Sequence, residues 1–240
     1  MTHLQENLER LESAIAEACG AARRPRAEVE LMAVSKTHPA ATIAEAARLG
    51  LTLFGENRVQ EFAAKSAELQ PTRSGLRVHL IGHLQSNKAA RAAELFDGID
   101  SVDSLRLAER LNEAAGRLGK RLPILIELKL SPEPTKAGLD PESPEASALL
   151  ERMPNLAHLG LRGLMTIAPF DVPEAETRAC FRSLRAWRDR WAAAHPRLSL
   201  GVLSMGMSSD FALAIEEGAT RIRVGTALFG ERATLQRKPA

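Results

Sequence analysis

A lysine at the end of the first apolar segment is the residue best suited to covalent chemistry. Lys36 closes the run ELMAVSK, residues 30–36. Side chains alternate between the two faces of a strand, so Lys36 shares a face with Met32 and Val34. Beside apolar neighbours an amine loses solvation, which favours the neutral form that attacks an aldehyde. By position alone a solvated strand-end lysine is the simpler interpretation, so the other motifs must decide.

Two later turns have the composition of a phosphate site. In LSMGMSSDF a strand ends at Ser204, and a glycine-containing turn leads into a helix. The hydroxyls of Ser204 and Ser208, together with backbone N–H groups of this turn, suit a phosphate. In TRIRVGTALFGER the last strand runs into Gly225 and Thr226. Each turn alone fits an ordinary strand-to-helix connection, but barrels frequently bind phosphate with their last two such loops.

Further polar residues lie near the same strand ends. Arg223 precedes Gly225 by two residues, so its guanidinium could reach the ring of a bound ligand or form a salt bridge at the rim. Asn57 ends the second strand, where it faces the pocket or caps the next helix. His79 and His83 straddle a strand end, so we expect a hydrogen-bonded strand histidine at His79 and no metal pair.

The elements that must position these residues alternate regularly along the chain. Ala- and Leu-rich helical stretches separate the short apolar runs, and a first helix ends near Gly20. Such alternation implies parallel strands, and eight units predict a TIM-type (β/α)8 barrel with an extra N-terminal helix, one domain over residues 1–240. An open doubly wound sheet would usually show a Gly-rich turn after its first strand, which is missing here. The predicted strands span residues 30–36, 51–57, 77–83, 97–103, 123–130, 158–167, 198–204 and 220–225.

Composition narrows the function classes. The net charge is +2 and aromatic residues make up 4% of the chain, so we expect no nucleic-acid partner. An interaction module around the arginines of 178–190 stays open as an alternative. No signal peptide or membrane-spanning stretch is evident. Cys19 and Cys180 show no metal-binding or disulfide pattern, which favours the cytoplasm. Four prolines predict an irregular loop over 131–147.

Taken together, the motifs resemble the pyridoxal-phosphate homeostasis protein family, whose barrels bind pyridoxal 5′-phosphate (PLP) and are related to the N-terminal domain of alanine racemase. The similar segments are AVSKTHP, FGEN-VQE, HLIGHLQSNK, SVDS, TKAGL, RGLMTI, LSMGMSSDF-AI and R-RVGTALFGER. The resemblance implies that Lys36 holds PLP as a Schiff base. It further implies a cofactor-binding set of Asn57 in the pocket wall, Ser204, Gly225 and Thr226 at the phosphate, Met205, Gly206 and Ser208 close by, and Arg223 at the pyridine nitrogen.

The resemblance also implies a biological role. The family is described as monomeric PLP carriers, without established catalysis, that affect vitamin B6 and amino-acid pools, and apo-enzymes that use PLP are the expected recipients. Three positions depart from the usual family pattern. Val78 replaces an aromatic residue, Arg58 a tyrosine and Lys129 an asparagine.

A weak, single-domain, PLP-dependent amino-acid racemase is the alternative function. Alanine racemases need a tyrosine as second base, and this chain contains no tyrosine. Related decarboxylases use a cysteine near the cofactor, whereas Cys19 and Cys180 fall in predicted outer helices. An arginine at the ring nitrogen leaves the ring unprotonated, which weakens it as an electron sink. We therefore expect binding and no catalysis.

Overall fold

A computed structural model describes residues 2–131 and 137–230. Eight parallel strands follow one another in sequence order, and β1 pairs with β8 to close the barrel. The predicted barrel and all eight strand positions are therefore confirmed, although each strand is shorter than its apolar run. The strands are β1 Glu30–Val34, β2 Leu53–Glu56, β3 Arg77–Leu80, β4 Gly98–Val102, β5 Leu122–Glu127, β6 Leu159–Met165, β7 Val202–Ser204 and β8 Arg221–Val224.

Helices cover the outside of this barrel. The first helix precedes β1 and is fixed near the chain's other end, because Asn7 Nδ2 donates to the Leu228 carbonyl at 2.9 Å. Within residues 2–131 and 137–230, no helix has the length and hydropathy needed to cross a membrane. The helices are α1 His3–Ala21, α2 Ala40–Arg48, α3 Val59–Glu68, α4 Ala89–Leu95, α5 Leu105–Arg117, α6 Pro144–Arg152, α7 Glu174–Ala194, α8 Phe211–Glu216 and α9 Thr226–Phe229.

The loop prediction for 131–147 is wrong at its C-terminal end. Pro144 is the first residue of α6, and the Ser143 hydroxyl accepts a hydrogen bond from the Ala146 N–H. Proline is tolerated at this position because the first N–H groups of a helix have no partner within it. Residues 132–136, with part of the TKAGL motif, lie outside the described residues.

Apolar side chains form a layer inside the barrel, separate from the larger core beneath the helices. Met32, Val34, Leu53 and Ile81 make up this inner cluster. Gly55 gives them room, because a Cβ there would come within 2.8 Å of Met32 Sδ. Layers of inward side chains are the usual filling of such barrels. The layer lies between two polar ends, one at the start and one at the end of the strands.

Ion pairs between strands close the end where the strands begin. Arg221 donates to Glu30 Oε2 at 2.8 Å and to Asp100 Oδ2 at 2.9 Å. His79 Nδ1 lies 2.8 Å from Asp100 Oδ1, so the predicted hydrogen-bonded strand histidine is confirmed. Burial alone would raise the pKa of Asp100, but His79 and Arg221 lower it. The same face of other barrels serves stability.

The arginines of α7 connect it to α8. Arg178 lies 2.7 Å from both Glu174 and Glu216, and Arg185 Nη1 donates to the Glu217 carbonyl at 2.8 Å. These contacts are intramolecular, as expected for a helix of the barrel wall. They favour that interpretation over an interaction module.

Candidate functional site

A cavity of about 780 Å³, which we call the upper cavity, lies at the end of the barrel where the strands finish. Its volume is in the range typical of small-molecule sites. Alternate side chains of each strand point into the barrel, and the inward positions just beyond the apolar layer carry polar groups. These polar groups line the cavity. Six of the nine residues predicted from the sequence line it, namely Lys36, Asn57, Ser208, Arg223, Gly225 and Thr226.

The other three predicted residues lie behind the cavity wall. Ser204 and Met205 are completely buried, and the Ser204 hydroxyl accepts from Arg223 Nη1 at 2.9 Å. Gly206 has φ +92°, and a Cβ there would lie 2.6 Å from the Ala214 Cβ, so this turn requires glycine. Its carbonyl accepts from the Arg223 N–H at 2.9 Å. The structure thus places Ser204 and Gly206 against Arg223, whereas the Met205 N–H donates to the Arg221 carbonyl at 3.1 Å. Contact of these three residues with a ligand stays a prediction.

Hydrogen bonds fix the backbone on both sides of Lys36. The Ser35 hydroxyl donates to Glu56 Oε1 at 2.7 Å. Thr37 has φ +67°, a conformation that β-branched residues rarely adopt, and its N–H donates to Glu61 Oε1. Lys36 therefore leaves the barrel wall in a backbone conformation that the neighbouring residues must maintain.

Lys65, on α3, is the centre of these contacts. Its Nζ lies 2.9 Å from Glu56 Oε1, 2.7 Å from Glu61 Oε1 and 3.1 Å from the Ser35 carbonyl oxygen. Burial raises the pKa of Glu56 despite the nearby ammonium. Burial would also raise the pKa of Glu61, but hydrogen bonds from Lys65 and the Thr37 N–H lower it. We call the group Ser35, Glu56, Glu61 and Lys65 the buried clamp.

Sequence reasoning missed the buried clamp. The FGEN-VQE motif contains Glu56 and Glu61, but only its Asn57 is among the predicted site residues. The sequence does contain one indication of the clamp. Glu56 is a charged residue at the end of a short apolar strand, and a charge that is buried there needs a charged partner. The partner, Lys65, stands four residues after Glu61 in a helix, where such pairs are usually solvated.

The turn after β7 and the start of α9 bring two backbone N–H groups together at one side-chain oxygen. Ser208 Oγ accepts hydrogen bonds from the N–H groups of Gly225 and Ala227, both at 3.3 Å. Two backbone donors therefore point at one oxygen at the mouth of the cavity. Thr226 and Ser209 also line the cavity there. Such convergent N–H groups are how proteins commonly hold phosphate oxygens.

Arg223 is a buried donor in the cavity wall. Its two terminal nitrogens donate to Ser204 Oγ at 2.9 Å and to the Thr166 carbonyl at 2.8 Å. Burial lowers its pKa, against the attraction of carboxylates that include Asp100 and Glu127. Among residues 2–131 and 137–230 its hydrogen bonds go to these neutral partners and no salt bridge is formed, which favours a role in the cavity over a rim ion pair.

Glu127, at the end of β5, is a cavity residue that sequence reasoning did not select. Its side chain lines the cavity, although the residue is only 4% exposed. Burial raises the pKa of Glu127 to about 7, with Asp103 adding to the shift and Arg223 opposing it. A second, lower cavity lies inside the end of the barrel where the strands begin, and Pro123 and Leu125 line it. Glu127 lies on the same strand face as these two residues, which is the one indication that the strand pattern gives of its position.

The three departures from the family pattern fall in different environments. Val78 is completely buried, and it belongs to the core beneath the helices. Arg58 is exposed, whereas Lys129 lines the cavity. His83 also lines this cavity and bonds Asp103 at 3.0 Å, while His79 lines the lower one. The two histidines therefore serve different ends of the barrel.

Comparison with known proteins places this barrel and site in a class. Residues 4–233 match the family described as alanine racemase, N-terminal domain. An alanine racemase from Clostridium difficile has the same fold, with a TM-score of 0.73 at 17% identity, over 95% of this chain and 56% of that one. The chain is therefore a barrel of the alanine racemase N-terminal type.

Closer relatives identify the family within that class. The pyridoxal phosphate homeostasis protein of Pseudomonas aeruginosa is 43% identical, with 97% of both chains covered, and that of Pasteurella multocida is 40% identical, with 95% and 97% covered. The structure of PipY of Synechococcus elongatus with PLP bound matches with a TM-score of 0.82 at 47% identity, over 95% and 100% of the two chains. The chain belongs to the pyridoxal phosphate homeostasis protein family.

Replacing Lys65 by methionine tests the buried clamp. We expect Lys65→Met to lower the free energy of unfolding by about 3–5 kcal/mol, because Glu56 is left buried without its cation. The matched control is Arg110→Met, which breaks an exposed pair with Glu113 and should cost less than about 1 kcal/mol. Urea denaturation measures both values. Equal losses in the two variants would show that the clamp does not stabilise the fold.

Proposed function

We propose that this protein holds PLP in the upper cavity as a Schiff base on Lys36 and passes it to apo-enzymes. One observation carries the proposal: the Lys36 amine and the anion-binding turn at Ser208 line the same cavity. PLP carries an aldehyde, which condenses with an amine with loss of water, and a phosphate. The PLP-bound PipY relative supports the assignment of the cofactor.

The residues of the cavity fit the parts of PLP. A phosphate oxygen would take the position of Ser208 Oγ opposite the N–H groups of Gly225 and Ala227. Arg223, which can only donate hydrogen bonds, would face the ring nitrogen and keep it unprotonated. Ser204 holds Arg223 from behind, so its role in this proposal is to position the guanidinium. Asn57 would complete the wall beside the ring.

We further propose that the chain acts as a non-catalytic carrier, a single barrel domain that is monomeric in the cytoplasm. It has no tyrosine to act as a second base. Cys19 and Cys180 are buried in α1 and α7, outside the barrel, so neither lines the cavity. An unprotonated ring opposite Arg223 would stabilise a carbanion poorly.

Lys36 and Lys129, the lysines among the described residues that line the cavity, allow a sharp test of the Schiff base. With PLP added, the wild-type protein should show a visible absorption band, and borohydride should attach the cofactor to the peptide containing Lys36. Lys36→Ala should lose the band and the labelled peptide. Lys129→Ala, which removes the amine of another cavity residue, should keep both. Labelling at Lys129, or none at all, would refute the assignment to Lys36.

A fixed negative charge tests the phosphate position. In Ser208→Asp a carboxylate would occupy the N–H groups of Gly225 and Ala227, so we expect PLP affinity to fall at least about tenfold, as for a lost charge-assisted bond. Pyridoxal, which lacks the phosphate, should bind nearly as well as to wild type. Ser209→Asp places the same charge on another cavity residue and should have the smaller effect. Fluorescence titration gives the affinities, and equal losses in both variants would contradict the proposed position.

Transfer to recipients can be separated from simple release. In one experiment the PLP-loaded protein is mixed with an apo-aminotransferase, and the rate at which aminotransferase activity recovers is measured. In a second experiment the rate of PLP release is measured with an excess of a carbonyl reagent that traps free PLP. Direct passing predicts recovery faster than release and dependent on apo-enzyme concentration. Pyridoxal-loaded protein, without the phosphate, is the control and should restore no activity. Recovery at the release rate would leave PLP binding intact but exclude direct transfer.

A further inference from the structure

Within residues 2–131 and 137–230, one buried side-chain polar atom has no hydrogen-bond partner. It is Oε2 of Glu127, in the wall of the upper cavity. Burying a carboxyl oxygen without a partner is costly, so such an atom in a folded protein requires an explanation. Its position in a ligand-sized cavity supplies one, because a bound molecule can provide the missing partner.

Charged groups approach Glu127 from several elements. Asp103, beyond the end of β4, makes ionisation of Glu127 less favourable, and Arg223 on β8 makes it more favourable. Asp103 is itself 3.0 Å from His83 Nδ1. Lys129, two residues after Glu127 in the chain, lines the same cavity.

The remaining neighbours complete this environment. Lys36 reaches the cavity from the end of β1, whereas β6 presents the buried, uncharged Met165 directly opposite Glu127. Arg223 is already bonded to Ser204 and the Thr166 carbonyl. Glu127 is therefore held close to cations without a donor on its Oε2 atom. A small change in the charge of the cavity is enough to change its ionisation.

We propose that Glu127 is the proton-exchanging group of the cavity: it takes up a proton from solvent as the anionic ligand binds, and donates that hydrogen from Oε2 to an acceptor atom of the ligand. The inference rests on the proposed function and adds a residue to it. An anion beside a carboxylate would place two negative charges in a water-poor site, and proton uptake removes that repulsion. The new O–H also gives Oε2 its missing bond.

The sign of the pH dependence follows from linkage. The pKa of Glu127 without ligand is about 7, and a bound anion raises this pKa further. Below that pKa the carboxyl is already protonated, so binding takes up little. Above it, each bound ligand draws a proton from solvent, and affinity falls as the pH rises. For a bound pKa two units higher, wild-type affinity should fall about tenfold between pH 6 and pH 8.

Pyridoxine 5′-phosphate isolates this proton from the chemistry of Lys36. It has the ring and phosphate of PLP but an alcohol in place of the aldehyde, so no Schiff base forms. Calorimetric titration in buffers of different ionisation enthalpy counts the protons taken up on binding. Protons that the ligand itself gains or loses contribute equally in every variant, so the difference between variants reports the protein. Relative to Glu127→Gln, the wild type should take up an additional fraction of a proton at pH 8 and show the tenfold fall. The exposed Glu142→Gln should behave as wild type.

The outcomes separate this inference from the proposed function. Equal proton uptake and parallel pH profiles in wild type and Glu127→Gln would overturn the role of Glu127, even if borohydride still attaches PLP to Lys36 in both. If Glu127→Gln does not fold, infrared difference spectra of the wild type decide: a protonated-carboxyl band must grow on binding at pH 8, and its absence refutes the inference. If the wild type binds neither vitamer, the proposed function fails and the inference with it.

Discussion

The buried ammonium of Lys65 is the group on which the geometry of the chain around Lys36 depends. Removing an ammonium and a carboxylate from water is costly, and the pair persists only if further hydrogen bonds satisfy it. Here Glu56, Glu61 and the Ser35 carbonyl supply them. Two of these partners also bond the residues that flank Lys36: Glu56 accepts from the Ser35 hydroxyl, and Glu61 accepts from the N–H of the left-handed Thr37. The clamp therefore joins β1, β2 and α3 at the point where Lys36 enters the cavity.

The wall of the cavity formed by β8, the strand that pairs with β1, is organised by the same rule with a different cation. Arg223 is buried beneath the last two turns, and its hydrogen bonds connect β8 with Ser204 of β7 and with the Thr166 carbonyl after β6. Gly206, which admits no side chain, returns its carbonyl to the Arg223 N–H. Both ends of a bound PLP would thus meet groups fixed by buried hydrogen bonds, which reduces the ordering cost of binding.

The fold was predictable because buried parallel strands appear as short apolar runs, and eight of them alternate with helices. The start of α6 was harder to predict, because a proline such as Pro144 can either continue a loop or begin a helix. The hydrogen-bonded cap at Ser143 shows that it begins the helix. At the site, Lys36 and Ser208 were predictable from motifs at strand ends. Lys65 and Glu127 were not, because a charged residue in a helix or strand shows its burial only when its tertiary neighbours are known.

The two polar ends of the barrel differ in how completely their charges are satisfied. Where the strands begin, Asp100 bonds both His79 and Arg221, and Arg221 also bonds Glu30. Where they finish, Arg223 has neutral partners, and Glu127 retains an oxygen that no residue in the described part of the chain bonds. A buried polar layer gains stability when every member is bonded, so an incomplete one carries a free-energy cost. The incompletely bonded groups lie at the end with the large cavity, where a ligand can supply the missing hydrogen bond. The free energy gained from that bond then contributes to binding affinity.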